Sequence, residues 1–398
     1  MLPKLIDEEE MFYNLDYEKY ELYDKERRGM KIGIDCRLWS ETGVGRYTRN
    51  LVSELSKLDK KNNYVLFVLS KDEDSVKSLI NNSHFEAQST NIKWHTFKEQ
   101  LEFPKVLGKE NLDLVHFPYF SVPVFYNRPF VVTIHDLIVN HFSTGHASTL
   151  PLPFYEIKLA AYKFVLNETS RRARKIIAIS NATKKEIEDH LRIKGDKIAV
   201  IYEGVDKKLQ EKRDNDNSFV KGKYFLYVGN AYPHKNIEKL LEAFGMLNSD
   251  VNLVLVGKED TFWRRIKEKA KRMNFSKRII FLQDVGDMEL SNLYKNALAL
   301  VVPSLMEGFG LPSLEAMANK CLVLASDIPS LREICEDAAI YFDPRSVDDI
   351  KQKMKEVLSD NPRIYNDRKE KGMERAKSFS WEKTARETLK IYESCVSL

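Results

Sequence analysis

Two successive series of short apolar runs, separated by amphipathic stretches, constrain this chain more than any other feature. The first series is KIGID (31–35), YVLFVL (64–69), LDLVHF (112–117), FVVTIH (130–135), KIIAIS (175–180) and IAVIY (198–202). The second is YFLYV (224–228), NLVLV (252–256), RIIFL (278–282), LALVVP (298–303), LVLAS (322–326) and AIYF (339–342). Runs that are apolar almost throughout suit strands buried on both faces, as in a parallel sheet covered by helices. The segments between carry helical periodicity: Tyr47, Leu51, Leu55 and Leu58 recur at spacings of four, four and three. Two such series predict an α/β protein of two doubly wound domains. Ligands then belong beyond the carboxyl ends of the strands, in a cleft where the domains face each other.

Length agrees, since 398 residues exceed what one hydrophobic core serves. The pattern breaks at DKKLQEKRDNDNSFVKGK (206–223), charged and nearly free of apolar residues, which marks the domain boundary. The predicted organisation is an N-terminal extension (1–29), a first domain (30–207), a second domain (208–379) and a closing helix (380–398). That last segment places Trp381, Ala385, Leu389 and Tyr392 on one helical side.

The extension is acidic and aromatic and has no signal-peptide apolar core. No apolar run approaches the roughly 18 residues of a spanning helix. Cys36, Cys321, Cys335 and Cys395 are scattered without metal spacing, and read as small buried side chains in a reducing compartment. The expectation is a cytoplasmic protein, at most touching a membrane surface; the basic run RRARK (171–175) reads as a solvated helix end that could attract an anionic membrane or a phosphorylated acceptor. The formal net charge of +4 gives no argument for nucleic acid, and no such partner is predicted.

The densest chemistry lies in PSLMEGFGLPSLEAMA (303–318). LALVVPS reads as a strand and PSLEAMA as a helix with Pro312 at its first position, so LMEGFGL is the connecting loop. Its glycines admit a ligand close to the backbone, and a helix N-terminus offers N–H groups to a phosphate or diphosphate. Glu315 is expected in the first turn and Glu307 at the start of the loop. Carboxylates suit sugar hydroxyls, so the layout fits a nucleotide sugar. The plain alternative is that Glu315 serves only the helix end and Glu307 is solvated. A glycoside hydrolase would need paired carboxylates roughly 5–10 Å apart across a scissile bond. A glycine-rich turn onto a helix fits that less well.

The stretch resembles the EGFGLPxLEAMA signature of family-4 retaining glycosyltransferases of the GT-B fold. The likeness continues in GIDCRLWSETGVGRYTRNLVSEL (33–55), TIHDL (133–137), IIAISNATKKEI (176–187), YVGNAYPHKNIEKLLEAF (227–244) and SWEKTARETLKIYES (380–394). The resemblance implies that Glu307 holds donor-sugar hydroxyls and Glu315 the nucleotide ribose. It implies too that Gly308, Phe309, Gly310 and Leu311 present backbone to the donor, and that the last helix crosses back to the first domain. Lys235 would neutralise the leaving diphosphate, and His135 would contact the transferred sugar, with Asp136 orienting backbone or His135. Gly43 and Gly45 would bring backbone near donor phosphates or acceptor; otherwise they make a tight turn before a helix.

Departures from the family pattern matter as well. Asn230 follows Gly229, and His234 precedes Lys235, where many members carry arginine, so the diphosphate would have less cationic help. Asn319-Lys320 replaces a small residue and glycine; Asn319 is expected to take the left-handed cap of the same turn.

No metal is predicted. The DED (72–74) and DND (214–216) strings lie in a solvated helix start and in the linker, without further carboxylates. No cofactor is expected other than the donor itself. The resemblance thus implies a retaining, metal-independent transferase that moves a hexose, mannose from GDP-mannose by the lean of the likeness, onto a glycan or lipid-linked acceptor. A GT-B-fold hydrolase or phosphorylase and a catalytically silent nucleotide-sugar-binding subunit remain the alternatives.

Overall fold

The computed structural model describes residues 29–142, 152–206, 209, 220–359 and 362–396. The N-terminal extension up to residue 28 and most of the 206–223 break, including its DND string, lie outside the described residues.

The first sheet contains β1 (Lys31–Asp35), β2 (Asn63–Leu69), β3 (Phe85–Thr90), β4 (Leu114–Phe117), β5 (Phe130–Ile134), β6 (Lys175–Ala178) and β7 (Ile198–Val200). Their order is β3-β2-β1-β4-β5-β6-β7. Its helices are α1 (Gly43–Leu58), α2 (Glu73–Leu79), α3 (Phe97–Lys109), α4 (Ile138–His141), α5 (Leu152–Arg172) and α6 (Asn181–Leu191).

The second sheet contains β8 (Tyr224–Val228), β9 (Asn252–Val256), β10 (Ile279–Leu282), β11 (Ala299–Val302), β12 (Val323–Ser326) and β13 (Ala339–Phe342). All its pairings are parallel, in the order β10-β9-β8-β11-β12-β13. The helices that follow are α7 (Ile237–Gly245), α8 (Thr261–Lys271), α9 (Asp287–Asn296), α10 (Leu311–Ala318), α11 (Pro329–Cys335), α12 (Val347–Ser359), α13 (Pro362–Lys377) and α14 (Trp381–Val396).

Both orders are doubly wound and reverse once, beside the first strand of each series. Alternate residues of the second sheet feed two cores. Leu226, Val254, Leu300 and Val323 enter one, and Phe225, Leu253, Leu255 and Leu324 the other. This two-sided burial is why the runs read as continuously apolar. β3, with the sequence FEAQST, is the strand the apolar runs do not announce. It forms one edge of its sheet, where polar side chains are tolerated and discourage further pairing.

By their contacts the described residues form two compact units. One draws on the described residues up to 133, those of 164–177 and those from 385 onward, the other on the described residues of 134–163 and 178–384. This division differs from the predicted cut at 207/208, because the segments after β5 and β6 bond to the loops of the second sheet, as described below. Leu209 and Val220, apolar residues within the predicted linker, are buried in the core of the second unit. The last helix starts in the second unit, where Thr384 Oγ1 donates to the Tyr202 carbonyl at 2.7 Å. It ends in the first, where the Tyr392 hydroxyl pairs with His116 Nδ1 at 2.6 Å.

Two charged strings differ from their sequence reading. Asp72 is buried and accepts a hydrogen bond from Ser40, so the DED string is not a wholly solvated helix start. In RRARK, Arg172 is a clamp, donating to the carbonyl oxygens of Val124 and Tyr126, while Arg171 and Arg174 stay exposed.

Candidate functional site

The second sheet reverses between β8 and β11, and the loops leaving those two neighbours carry Lys235 and Glu307. Asn236 stitches the loops together. In a left-handed conformation (φ 57°) it ends the turn at 233–235, and its amide donates to the carbonyls of Pro303 (2.9 Å) and Pro344 (2.8 Å). Leu305 N–H donates to the His234 carbonyl at 2.7 Å.

So held, Lys235 Nζ donates to both oxygens of Glu307, at 2.7 and 2.8 Å, and Ser304 Oγ adds a bond of 2.7 Å. The side chains are only 18% and 11% exposed. Burial alone would raise the Glu307 carboxyl, but Lys235, Ser304 and His234 outweigh it and hold it below the usual range. Burial and the adjacent Lys235 push His234 down to about 4, so its imidazole is neutral at neutral pH.

Gly229, at φ 153°, donates its N–H to Val256 O at 2.9 Å. Asn230 beside it has a buried Oδ1 with no hydrogen-bond partner among the described residues.

The loop after Glu307 is shaped by close packing. A Cβ on Gly308 would lie 1.9 Å from the His135 carbonyl oxygen, so the room this glycine leaves is taken by backbone of the same unit. Phe309 is buried with its ring against Tyr202 and Phe379. Gly310 has φ 99°, a left-handed value that favours glycine, and caps α10.

Leu311 and Pro312 are therefore the first two helical residues. Glu315 falls in the second turn rather than the first, where Tyr294 OH donates to it at 2.9 Å. At the other end of α10 the left-handed residue is Lys320 (φ 55°), not Asn319. Asn319 instead turns its side chain inward, accepting from Ser291 Oγ at 2.7 Å and donating to Glu315 O at 2.9 Å.

His135 leaves β5 with its Nδ1 3.3 Å from a carboxylate oxygen of Glu203, which is buried. That pairing favours the proton on Nδ1 and fixes the ring. Asp136 accepts from Ile138 N–H at 3.0 Å, and burial lifts its carboxyl despite nearby His135 and Lys235. Ser180 caps α6 and donates to Gly308 O at 2.6 Å, while Thr183 Oγ1 reaches both Gly308 O (3.2 Å) and His135 O (3.1 Å). Glu333 accepts from the N–H groups of Asn181 (2.7 Å) and Ala182 (2.9 Å) at the same helix start. Sequence reasoning missed Glu203, Ser180, Thr183 and Glu333. The serine two residues past β6 was the available signal, as an N-cap.

Thus His135, Gly229, Asn230, Lys235, residues 307–311 and Glu315 share the second unit. Gly43 and Gly45 belong to the first, in the opening turn of α1. A Cβ on Gly43 would meet nothing within 4 Å, whereas one on Gly45 would lie 2.7 Å from the carbonyls of Leu38 and Trp39. The first unit also holds an unforeseen buried ion triad beyond β1. Arg37 Nη2 lies 2.7 Å from Asp35 and 2.6 Å from Glu99, with its guanidinium 3.7 Å over the Phe103 ring.

Solved structures place this architecture in the GT-B class of α/β proteins. Sucrose-phosphate synthase (tll1590) from Thermosynechococcus elongatus matches with a TM-score of 0.75 and 20% identity, over 92% of this chain and 99% of that one. WaaG, a glycosyltransferase involved in lipopolysaccharide biosynthesis, matches with a TM-score of 0.71 and 14% identity, over 90% and 99%. At such identities the likeness is one of fold. Sequence comparison is more specific. The family model described as Glycosyltransferase Family 4 matches residues 42–209, and that described as Glycosyl transferases group 1 matches 209–376. The chain belongs to the family-4, group 1 glycosyltransferases, and its reaction is glycosyl transfer. Relatives include the O-antigen chain mannosyltransferase B of Escherichia coli, 28% identical over 88% of this chain and 96% of that one. The O-antigen chain mannosyltransferase RfbU of Salmonella typhimurium is 27% identical, over 68% and 72%.

Proposed function

We propose that this chain is a retaining hexosyltransferase of polysaccharide assembly. It takes mannose from a nucleoside diphosphate sugar, GDP-mannose in the first instance, and transfers it to an acceptor hydroxyl without a metal at the donor. The observation that carries the reading is the Lys235–Glu307 pair at the reversal of the second sheet, where a doubly wound fold binds its ligand.

In this reading the ammonium of Lys235 and the backbone N–H groups of 308–311 at the start of α10 take up the diphosphate charge. Glu307, kept ionised, accepts from sugar hydroxyls. Neutral His234 adds no charge, so Lys235 carries the side-chain share of the compensation. Glu315, steadied by Tyr294, takes the ribose, and the unpartnered Asn230 Oδ1 accepts from the ligand. The acceptor oxygen bonds to the anomeric carbon on the face from which the diphosphate departs, and its proton passes to the departing phosphate oxygen. Glu307 is committed to Lys235 and Asp136 to a backbone N–H, so neither is offered as a covalent nucleophile. Catalysis is then positioning and charge stabilisation. The mannosyl preference and the polysaccharide context rest on the O-antigen relatives.

We extend the proposal to a cytoplasmic enzyme that touches an anionic membrane. No helix among the described residues is long and apolar enough to cross a bilayer. α3 does expose Phe97 and Leu101 beside Lys98, Lys105 and Lys109, the make-up of a surface-lying helix.

A screen of nucleoside diphosphate sugars, with the product linkage read by NMR, tests the reading. It expects a mannosyl product that keeps the donor's anomeric configuration, formed at the same rate with or without magnesium or manganese. An inverted product, free sugar in place of transfer, or dependence on inorganic phosphate contradicts it.

A further inference from the structure

Outside the donor site, three metal-competent side chains converge on one point. His141, the last residue of α4, brings Nε2 to 2.6 Å from Glu186 Oε2, and His190 brings its own Nε2 to 3.3 Å from the same oxygen. The three ligand atoms all lie within 4.8 Å of one another. Glu186 and His190 stand one turn apart on α6, on one face of the helix, so a single rigid element supplies two of the three. The two imidazole rings meet edge to face, 4.8 Å apart at 89°.

We propose that His141, Glu186 and His190 form a binding site for a zinc-type divalent transition metal ion. Two imidazoles and one carboxylate are a donor set for such an ion with one position left to water, and they suit calcium or magnesium poorly. With metal–ligand bonds of 2.0–2.1 Å, tetrahedral ligand atoms stand about 3.3 Å apart. The 3.3 Å separation already has that value, and the others need only small rotations of half-exposed side chains.

The consequence follows from chain geometry. The segment from His135 to His141 is already fixed to α6 at its start, through Thr183 Oγ1 and the His135 carbonyl. An ion at His141, Glu186 and His190 fixes its other end to the same helix. The metal thereby holds in place the segment that carries His135, while taking no part in donor chemistry. The site consists of its own three residues and is independent of which sugar the enzyme moves.

Chelator-stripped, untagged full-length protein, titrated with zinc chloride against a chromophoric competitor, tests this directly. The wild type is expected to bind one zinc ion that His141→Ala and His190→Ala each weaken by more than tenfold. Loss of an outer-shell partner alone costs roughly 10–100-fold. Zinc should also slow hydrogen exchange across 138–142 in the wild type and not in the variants. Glu186→Gln, which keeps the side-chain shape, should behave as the alanine variants do. Wild-type affinity retained by either histidine variant, or no zinc bound at micromolar concentration, overturns the proposal.

Discussion

The carbonyl oxygen of His135 occupies the space that a side chain on residue 308 would need: a Cβ there would stand 1.9 Å away. Glycine at this point lets the end of β5 sit directly on the loop that follows Glu307. Ser180 and Thr183 bind the Gly308 carbonyl in turn. Gly308→Ala must push backbone against backbone, and should cost about 1–3 kcal/mol as overpacking does. Thermal unfolding measures that cost. Transfer activity should fall more steeply than stability, because His135 and Glu307 move together. An unchanged melting temperature would show that the loop yields without cost.

The Asp35–Arg37–Glu99 triad is almost wholly buried, with Arg37 2% and Glu99 0% exposed. Removing the cation leaves two carboxylates uncompensated, so Arg37→Met should destabilise the protein by roughly 3–5 kcal/mol. Replacing the outer partner with Asp35→Asn should cost less. Denaturant unfolding of the two variants tests the ranking.

His234 sets a pH dependence. Its folded-state value of about 4 lies below the ordinary 6.5, so the unfolded chain takes up this proton first as pH falls. The stability it leaves intact above pH 6.5 is lost progressively toward pH 4, by up to about 3 kcal/mol at 1.36 kcal/mol per unit. Glu307, held below its usual range, acts in the same direction at lower pH. Melting temperatures of His234→Gln between pH 7 and 4.5 should therefore fall less than those of the wild type, without becoming flat. Parallel curves would contradict the buried, neutral imidazole.

Lys320 holds a left-handed conformation at φ 55°, where a Cβ is strained. Its ion pair with Glu370 is exposed at both ends and offsets little. Lys320→Gly should thus stabilise by roughly 0.5–1 kcal/mol despite glycine's greater unfolded entropy. A drop in melting temperature would show that the ion pair matters more than the strain.

The sheets were legible because their central strands are buried on both faces: ALVV at β11 and FVVTI at β5 leave nothing exposed. β3 was not, since an edge strand with FEAQST carries no apolar run. Glu307 and Lys235 could each be picked out as polar residues on glycine- or proline-marked loops after strands. Their contact with each other spans 72 positions and only the strand order creates it. Glu99 and Glu203 drew no attention in the sequence, because a charge on a helix or beside a strand does not announce that a distant arginine or histidine will pair with it where it is buried. The left-handed turn after α10 was legible, but not which residue adopts it. Asn319 has the better propensity, and its inward hydrogen bonds shift the strain to Lys320.

The pairing of Lys235 with Glu307 is the centre of the account, and calorimetric titration of Lys235→Ala tests it most directly. The nucleoside diphosphate of the donor, found by screening, and the corresponding nucleoside are each titrated into wild type and variant. If Lys235 compensates the diphosphate, the variant should bind the diphosphate at least tenfold more weakly, about 1.4 kcal/mol, and the nucleoside almost as well as before. Equal losses for both ligands, or none for either, would contradict the assignment of Lys235 to the phosphates and, with it, the donor site at the reversal of the second sheet.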